Sequence, residues 1–190
     1  MDDLSIALGR VADALDRTGI PYMVIGGLAN LVWGEPRTTM DLDFTVDAGR
    51  LGTDGILRVA KEMGELLAED PADVAERGRL VPVRTPEGVR VDLVLATLPF
   101  ELEAIGRARV VDVAGTEARV CAPEDLIVMK SVSTRARDHD DVVGILRRRR
   151  SDLRLEELDR TIESLAADLG DAQIGERWRA ARRAAGLDAE

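Results

Sequence analysis

Residues 22–46 read YMVIGGLANLVWGEPRTTMDLDFTV, and most of the chemical information in the chain lies in them. Residues 22–25 are apolar and β-favouring, and a proline and a glycine pair bound them, so they predict a buried strand. Gly26 and Gly27 end that strand, and apolar residues then recur at helical spacing. A strand, a tight glycine turn and a short helix are therefore predicted. The free backbone N–H groups and the positive dipole end at such a turn favour phosphate binding.

Two aspartates lie two residues apart on the next predicted strand, residues 40–46. Side chains alternate along a strand, so Asp41 and Asp43 share one face. Two carboxylates side by side on an otherwise apolar strand repel each other and are costly to desolvate unless a cation lies between them. We expect Mg²⁺, or Mn²⁺ in its place, because Mg²⁺ takes oxygen ligands, usually one or two carboxylates together with substrate phosphates.

A third carboxylate, Asp92, belongs to the alternating run 89–95, which predicts another strand. If this strand neighbours the one carrying Asp41 and Asp43, three carboxylates converge on one spot that faces the glycine turn. Two-metal phosphoryl and nucleotidyl transfer requires such a layout. We therefore predict that the three aspartates are metal ligands and catalytic residues, with Asp92 either completing a second metal site or deprotonating an acceptor hydroxyl.

The order of these features resembles that of nucleotidyltransferases of the DNA-polymerase-β-like superfamily. The residues that carry the resemblance are Gly26, Gly27, Arg37, Thr38, Thr39, Asp41, Asp43 and Asp92. Residues 26–44 are most similar to the AbiEii and MenT-type toxin nucleotidyltransferases. Residues 122–141 are similar to the P-x-D-L-x-x-x-K … R-x-K-D-x-x-D segment of the same proteins. The resemblance covers residues 20–146.

The resemblance implies an α/β (α+β) fold with a mixed sheet flanked by helices. It implies a nucleotidyltransferase core over residues 1–121 and a C-terminal helical region over 122–190 that packs on this core. It further implies a Mg²⁺-dependent enzyme that transfers NMP from an NTP, such as ATP, to an acceptor hydroxyl. The residues expected to bind the nucleotide are Gly26, Gly27, Arg37, Thr39, Lys130, Asp138 and Asp141, of which Lys130 is also expected to be catalytic.

Lys130 follows an apolar run, residues 126–129, that predicts a largely buried helix. A lysine there needs a partner, either a substrate phosphate or an aspartate, unless it reaches the surface by snorkelling. Asp138 and Asp141 are three residues apart and share a face of the next helix, where either could simply cap that helix. Arg37 is either a solvated loop arginine or a group that contacts the triphosphate or a catalytic carboxylate.

The acceptor is left open by the sequence. The AbiEii and MenT resemblance implies the toxin of a toxin–antitoxin system, with an RNA acceptor, in particular a tRNA 3′ end, and a possible antitoxin protein as partner. Two alternatives are an aminoglycoside- or lincosamide-type antibiotic adenylyltransferase and a non-catalytic nucleotide-binding protein. The net charge of −10 argues against non-specific nucleic-acid binding. However, the run Arg147–Arg150 is either a solvated helix end or a contact for an RNA acceptor.

Composition indicates where the protein is located, and hydrophobic periodicity predicts further helices and strands. No apolar run reaches the eighteen or so residues of a membrane span, and the single cysteine, Cys121, excludes an internal disulfide, so we expect a cytoplasmic protein with no membrane partner. Periodicity predicts a helix over 51–67 and a polar break over 69–73. Residues 80–84 and 89–95 predict a hairpin, and Pro82 suggests an edge strand.

Overall fold

The computed structural model describes residues 2–113 and 115–187. In this range the chain forms two compact units. The sheet unit contains the described residues up to Leu28 and from Thr38 to Ala122. The helical unit contains Ala29–Arg37 and the described residues from Pro123 onward.

The elements alternate between helices and strands over the first two thirds of the chain and are helical thereafter. In chain order they are α1 (Asp2–Thr18), β1 (Tyr22–Val24), α2 (Gly26–Trp33), β2 (Asp41–Val46), α3 (Gly52–Met63), β3 (Glu65–Leu66), α4 (Pro71–Gly78), β4 (Leu80–Arg84), β5 (Arg90–Leu95), α5 (Pro99–Gly106), β6 (Arg109–Val113), β7 (Thr116–Val120), α6 (Pro123–Val132), α7 (Ala136–Arg149), α8 (Leu155–Leu169) and α9 (Ala172–Ala184). A 3₁₀ turn, Gly49–Leu51, precedes α3.

The strands of the described residues form one mixed sheet in the order β3-β4-β5-β2-β1-β7-β6. Strand β2 pairs in parallel with β5 and antiparallel with β1, which in turn pairs in parallel with β7. Leu42 and Phe44 of β2 and Val91 and Leu93 of β5 are fully buried. Burying each such side chain stabilises the fold by about 1.5–3 kcal/mol. The predicted mixed α/β fold is confirmed, and both strands that carry the aspartates contribute fully buried apolar side chains to its core.

Three local predictions are wrong. The helix predicted over 51–67 ends at Met63, because the backbone of Gly64 is extended (φ 166°, ψ −154°), and the chain continues as β3. A Cβ at Gly64 would lie 2.1 Å from the Arg84 carbonyl oxygen. Only glycine permits this close approach of β4. The polar break at 69–73 contains the start of α4, whose N-cap Asp70 accepts from the Asp73 amide at 3.1 Å. Strand β4 is not an edge strand, because β3 pairs with it and Leu67 N–H donates to the Pro82 carbonyl at 2.9 Å.

The helical unit buries the apolar stripes of its helices against one another. Helix α6 packs on α7, α8 and α9, and α9 also packs on α7 and α8. The fully or nearly fully buried side chains of the helical unit include Leu126, Ile127, Ile145, Leu146, Leu158, Ile162, Ile174 and Trp178. Among the helices of residues 2–113 and 115–187, none combines the length and apolar character needed to cross a membrane.

Candidate active site

The three predicted catalytic aspartates lie on two neighbouring strands of the sheet unit. In the parallel pairing of β2 with β5, Asp43 is opposite Asp92 and Asp41 is opposite Arg90. Because side chains alternate along both strands, all three carboxylates lie on the same face of the sheet. Asp41 is exposed, whereas Asp43 and Asp92 are half-buried. The neighbouring strands on which the site hypothesis depended are therefore observed.

The glycine turn lies directly against Asp43. Gly26 begins α2 with a φ of 64°, and a Cβ built on it would lie 2.0 Å from Oδ2 of Asp43. The Ile25 amide also donates to the Asp43 carbonyl at 2.9 Å, which ties the end of β1 to β2. Both the left-handed backbone and the adjacent carboxylate require glycine at position 26. The first amides of α2 and the carboxylate face are thus neighbours within the sheet unit.

Gly26→Ala should lower the unfolding free energy by about 1–2 kcal/mol, because a non-glycine residue is strained at this φ. It should also reduce the nucleotidyl transfer that the sequence resemblance implies, because the added methyl group must displace the Asp43 carboxylate. Denaturant unfolding and initial rates, measured on the same preparations, check both effects. Gly88→Ala is the control, since Gly88 also has a positive φ of 81° but nothing lies within 4 Å of its Cβ position. A Gly26→Ala variant with parental transfer would contradict the close contact.

Arg90 also lies on the carboxylate face, although it is not one of the predicted site residues. Its Nε is 3.0 and 3.2 Å from the two carboxylate oxygens of Asp92. The hydrogen bond and the charge of Asp92 raise the pKa of Arg90, and the charges of Asp41 and Asp43 contribute in the same direction. The i, i+2 rule that paired Asp41 with Asp43 also places Arg90 beside Asp92, so the signal was present in the sequence.

The types of residue present on this face fit a hard divalent cation. Asp41, Asp43 and Asp92 offer carboxylate oxygens on one partly exposed face, and oxygen is the ligand that Mg²⁺ and Mn²⁺ prefer. Over residues 2–113 and 115–187, no three His, Cys, Asp or Glu side chains are gathered into a set that could hold a metal ion. The Asp92 carboxylate is instead paired with Arg90.

Thr39 lies two residues before β2, which begins at Asp41. Its hydroxyl donates to the Asp41 carbonyl oxygen at 3.2 Å. This bond fixes the chain just before the exposed aspartate, so the structure gives Thr39 a backbone contact beside the carboxylate face.

The other four predicted site residues form a network inside the helical unit. Lys130 Nζ donates to Asp138 Oδ1 at 2.6 Å and to Asp141 Oδ2 at 2.7 Å. Arg37 holds Asp141 with two parallel bonds of 2.7 and 2.8 Å, and Ser133 donates to Asp138 at 2.7 Å. The lysine side chain is only 6% exposed, so the snorkelling alternative is wrong. The aspartates bind Lys130 and do not simply cap α7.

Burial and ion pairing act in opposite directions on the two network carboxyls. Burial would raise the pKa of Asp141, but hydrogen bonds from Arg37 and Lys130 outweigh burial and lower it below the usual 3.8. Burial would likewise raise the pKa of Asp138, and the bonds from Lys130 and Ser133 lower it. Both carboxylates therefore stay ionised, and their stabilising contribution is lost only as the pH falls through these lowered pKa values.

Two members of the arginine run bind the C-terminal end of α2. Arg148 donates to the Gly34 carbonyl, and Arg149 donates to the Val32 carbonyl at 3.1 Å. The Arg149 guanidinium also lies 5.1 Å from the ring centre of Trp33. Arg147 donates to the Ala184 carbonyl, at the end of α9, at 2.9 Å. Carbonyls at a helix end lack partners within the helix and attract cations, so these contacts stabilise the helical unit.

A family model described as "Nucleotidyl transferase of unknown function (DUF2204)" matches residues 5–174. An antigenic nucleotidyltransferase-like protein from Paracoccidioides brasiliensis is similar in structure, with a TM-score of 0.56 and 16% identity over 92% of each chain. The antibiotic-resistance factor ANT(2'')-Ia is similar with a TM-score of 0.60 and 16% identity over 88% of this chain and 95% of that one. The lincosamide antibiotic adenylyltransferase LnuA, in its lincomycin-bound structure, is similar with a TM-score of 0.50 and 13% identity over 74% of this chain and 94% of that one.

These structural likenesses concern the fold, because the identities are low. No curated protein matches the sequence.

Proposed function

The chain belongs to the nucleotidyl transferase family that residues 5–174 match, and we propose that its carboxylate face transfers NMP from an NTP to an acceptor hydroxyl. One observation carries this proposal. Asp43 lies opposite Asp92 on a parallel strand and against Gly26 at the start of α2, so carboxylates and helix amides are neighbours. Carboxylates bind a divalent cation, helix amides bind phosphate, and nucleotidyl transfer needs both.

Asp41, Asp43 and Asp92 would hold Mg²⁺ or Mn²⁺ in this proposal. When bound, the cation neutralises charge on the attacking and leaving oxygens of the reaction. The amides of Gly26 and Gly27 bind phosphate oxygens of the NTP, and Asp92 can also take the proton of the acceptor hydroxyl. The hydroxyl oxygen bonds to the α-phosphorus, the bond from that phosphorus to its bridging oxygen breaks, and pyrophosphate leaves.

The ion-pair network of the helical unit is proposed to bind and orient the NTP through Arg37. Arg37 is 30% exposed, and both of its bonds to Asp141 fix its orientation, so it is the network's proposed phosphate-binding group. Lys130 and Asp138 are nearly fully buried and bind each other, which suits them to orienting that arginine through Asp141. Direct contact of Lys130 with a triphosphate would require it to leave an aspartate. Thr39 keeps a proposed role in nucleotide binding beside Asp41.

An RNA acceptor is the first candidate, and the proposal for it rests on the sequence resemblance to AbiEii and MenT-type toxins. The acceptor would be a tRNA 3′ end, the location cytoplasmic, and an antitoxin protein a possible partner. The contacts of the arginine run reduce the support for this candidate, because residues 147–149 each bind a carbonyl within the helical unit. Arg150 is exposed and keeps its charge toward solvent.

A small antibiotic is the second candidate acceptor, and the same observation favours it. A chain of net charge −10 whose arginine run is engaged internally suits a small cationic acceptor better than a polyanion. ANT(2'')-Ia, an antibiotic-resistance factor, and LnuA, a lincosamide adenylyltransferase, share the fold. The non-catalytic alternative would leave Asp41, Asp43 and Asp92 without a use.

Labelled substrate tests the proposal directly. The protein is incubated with each α-³²P-labelled NTP and Mg²⁺ or Mn²⁺ in three arms: tRNA, a panel of aminoglycosides and lincosamides, and protein alone. We expect label on one acceptor, with pyrophosphate released, and none with an Asp43→Asn control. Label on tRNA supports the toxin reading, and label on an antibiotic supports the second candidate. No transfer in any arm would contradict the proposed activity with these acceptors.

A further inference from the structure

We propose that Arg90 is a built-in counter-cation of the carboxylate face, which holds Asp92 in the metal-free protein and releases it when a divalent cation binds. Arg90 is then a positioning residue that sets the metal affinity of the site. This inference rests on the proposed function, because it needs Asp41, Asp43 and Asp92 to be the metal-binding groups.

Arg90 contacts Asp92, and the charges of Asp41 and Asp43 also act on its guanidinium. It pairs with Asp92 two residues along β5, and its Cα is the register partner of Asp41 on β2. Neighbouring strands lie about 4.8 Å apart, so the residue opposite Arg90 is within reach of its side chain. A metal ion bound by the carboxylates would bring a second positive charge to the same few ångströms. The two cations repel, so they compete for Asp92.

The exposure of the pair makes exchange feasible. The Arg90 side chain is 44% exposed and that of Asp92 is 21% exposed. The guanidinium can therefore move into water without crossing packed atoms, while the carboxylate stays on the face beside Asp43.

Mn²⁺ affinity measures the competition without any turnover. Arg90→Ala should bind Mn²⁺ about tenfold more tightly than the parent in titrations followed by electron paramagnetic resonance, since one charge-assisted contact no longer has to be broken. Arg90→Lys, which keeps the charge but loses the paired geometry, should lie between them. The matched control is Arg84→Ala, because Arg84 is opposite Arg90 on β4 and its side chain donates to the Gly88 carbonyl.

Unchanged or weaker Mn²⁺ binding by a folded Arg90→Ala variant would overturn the inference, as would an equal gain in Arg84→Ala. Asp43→Asn separates this failure from failure of the proposed function. If Asp43→Asn leaves Mn²⁺ binding unaltered, the carboxylate face is not the metal site at all. If it weakens binding while Arg90→Ala does not tighten it, only the role of Arg90 is wrong.

If Arg90→Ala does not fold, an NMR measurement on the unaltered protein tests the same inference. The side-chain Nε–H signal of Arg90, assigned by its loss in Arg90→Lys, should be protected from exchange without metal. Adding Mg²⁺ should shift that signal and speed its exchange with water. A signal that stays protected at saturating Mg²⁺ would show that Arg90 keeps its hold on Asp92, which contradicts the proposal.

Discussion

Asp43→Asn should lower nucleotidyl transfer by about three orders of magnitude and leave the metal-free protein at least as stable as the parent. A bound metal ion contributes several kcal/mol to the transition state, and each 1.36 kcal/mol is a factor of ten in rate. The substitution removes the carboxylate that lies against Gly26 and opposite Asp92 while keeping the size of the side chain. It also relieves repulsion from the neighbouring carboxylates, and we expect this relief to outweigh the lost attraction to Arg90.

Initial rates at saturating Mg²⁺ and melting temperatures in EDTA check the two parts of this prediction. The control is Asp47→Asn, which removes the same charge just beyond the other end of β2. Its Oδ1 accepts from the Gly49 amide at 2.8 Å, and an asparagine oxygen can accept that bond as well. Transfer by Asp43→Asn within threefold of the Asp47→Asn rate would remove Asp43 from the metal site.

The carboxylate face could be predicted because strand alternation is a local property. The spacing of Asp41 and Asp43 fixes their common face, and the apolar alternation around Asp92 marks its strand. The parallel pairing of β2 with β5 could not be derived in the same way. It joins residues about fifty positions apart, and only tertiary packing selects the register that sets Asp43 opposite Asp92.

Side-chain partners were harder to predict than strands. The sequence marks Lys130 as a buried cation and leaves a phosphate or an aspartate as its partner. The choice depends on the turn between α6 and α7, which brings Asp138 and Asp141 to the same ammonium group. The arginine run gives no local sign of its partners either. Its contacts are carbonyls of residues more than thirty positions away, and composition cannot distinguish those from the phosphates of an RNA.

Lys130→Met should destabilise the protein by about 3 kcal/mol, because removing one partner of a buried ion pair leaves charges without compensation. Methionine fills most of the lysine volume, so a cavity contributes little. The loss lies at the low end of the usual range, because Arg37 still binds Asp141 and Ser133 still binds Asp138. For a chain of 190 residues, a loss of this size lowers the melting temperature by about 10 °C. Lys61→Met, at an exposed position of α3, is the control and should melt with the parent.

The pH dependence of this difference identifies its cause. Asp138 and Asp141 have pKa values below the usual 3.8 in the folded protein, so their pairing with Lys130 is complete above that value and is lost as the pH falls through the lowered pKa values. The stability gap between the parent and Lys130→Met should therefore be widest near neutral pH and shrink below about pH 4.

NTP titrations of the folded Lys130→Met variant give the second readout. A positioning lysine leaves the KM for NTP within a few-fold of the parent. Parental stability with a KM raised more than about tenfold would assign Lys130 to the triphosphate instead.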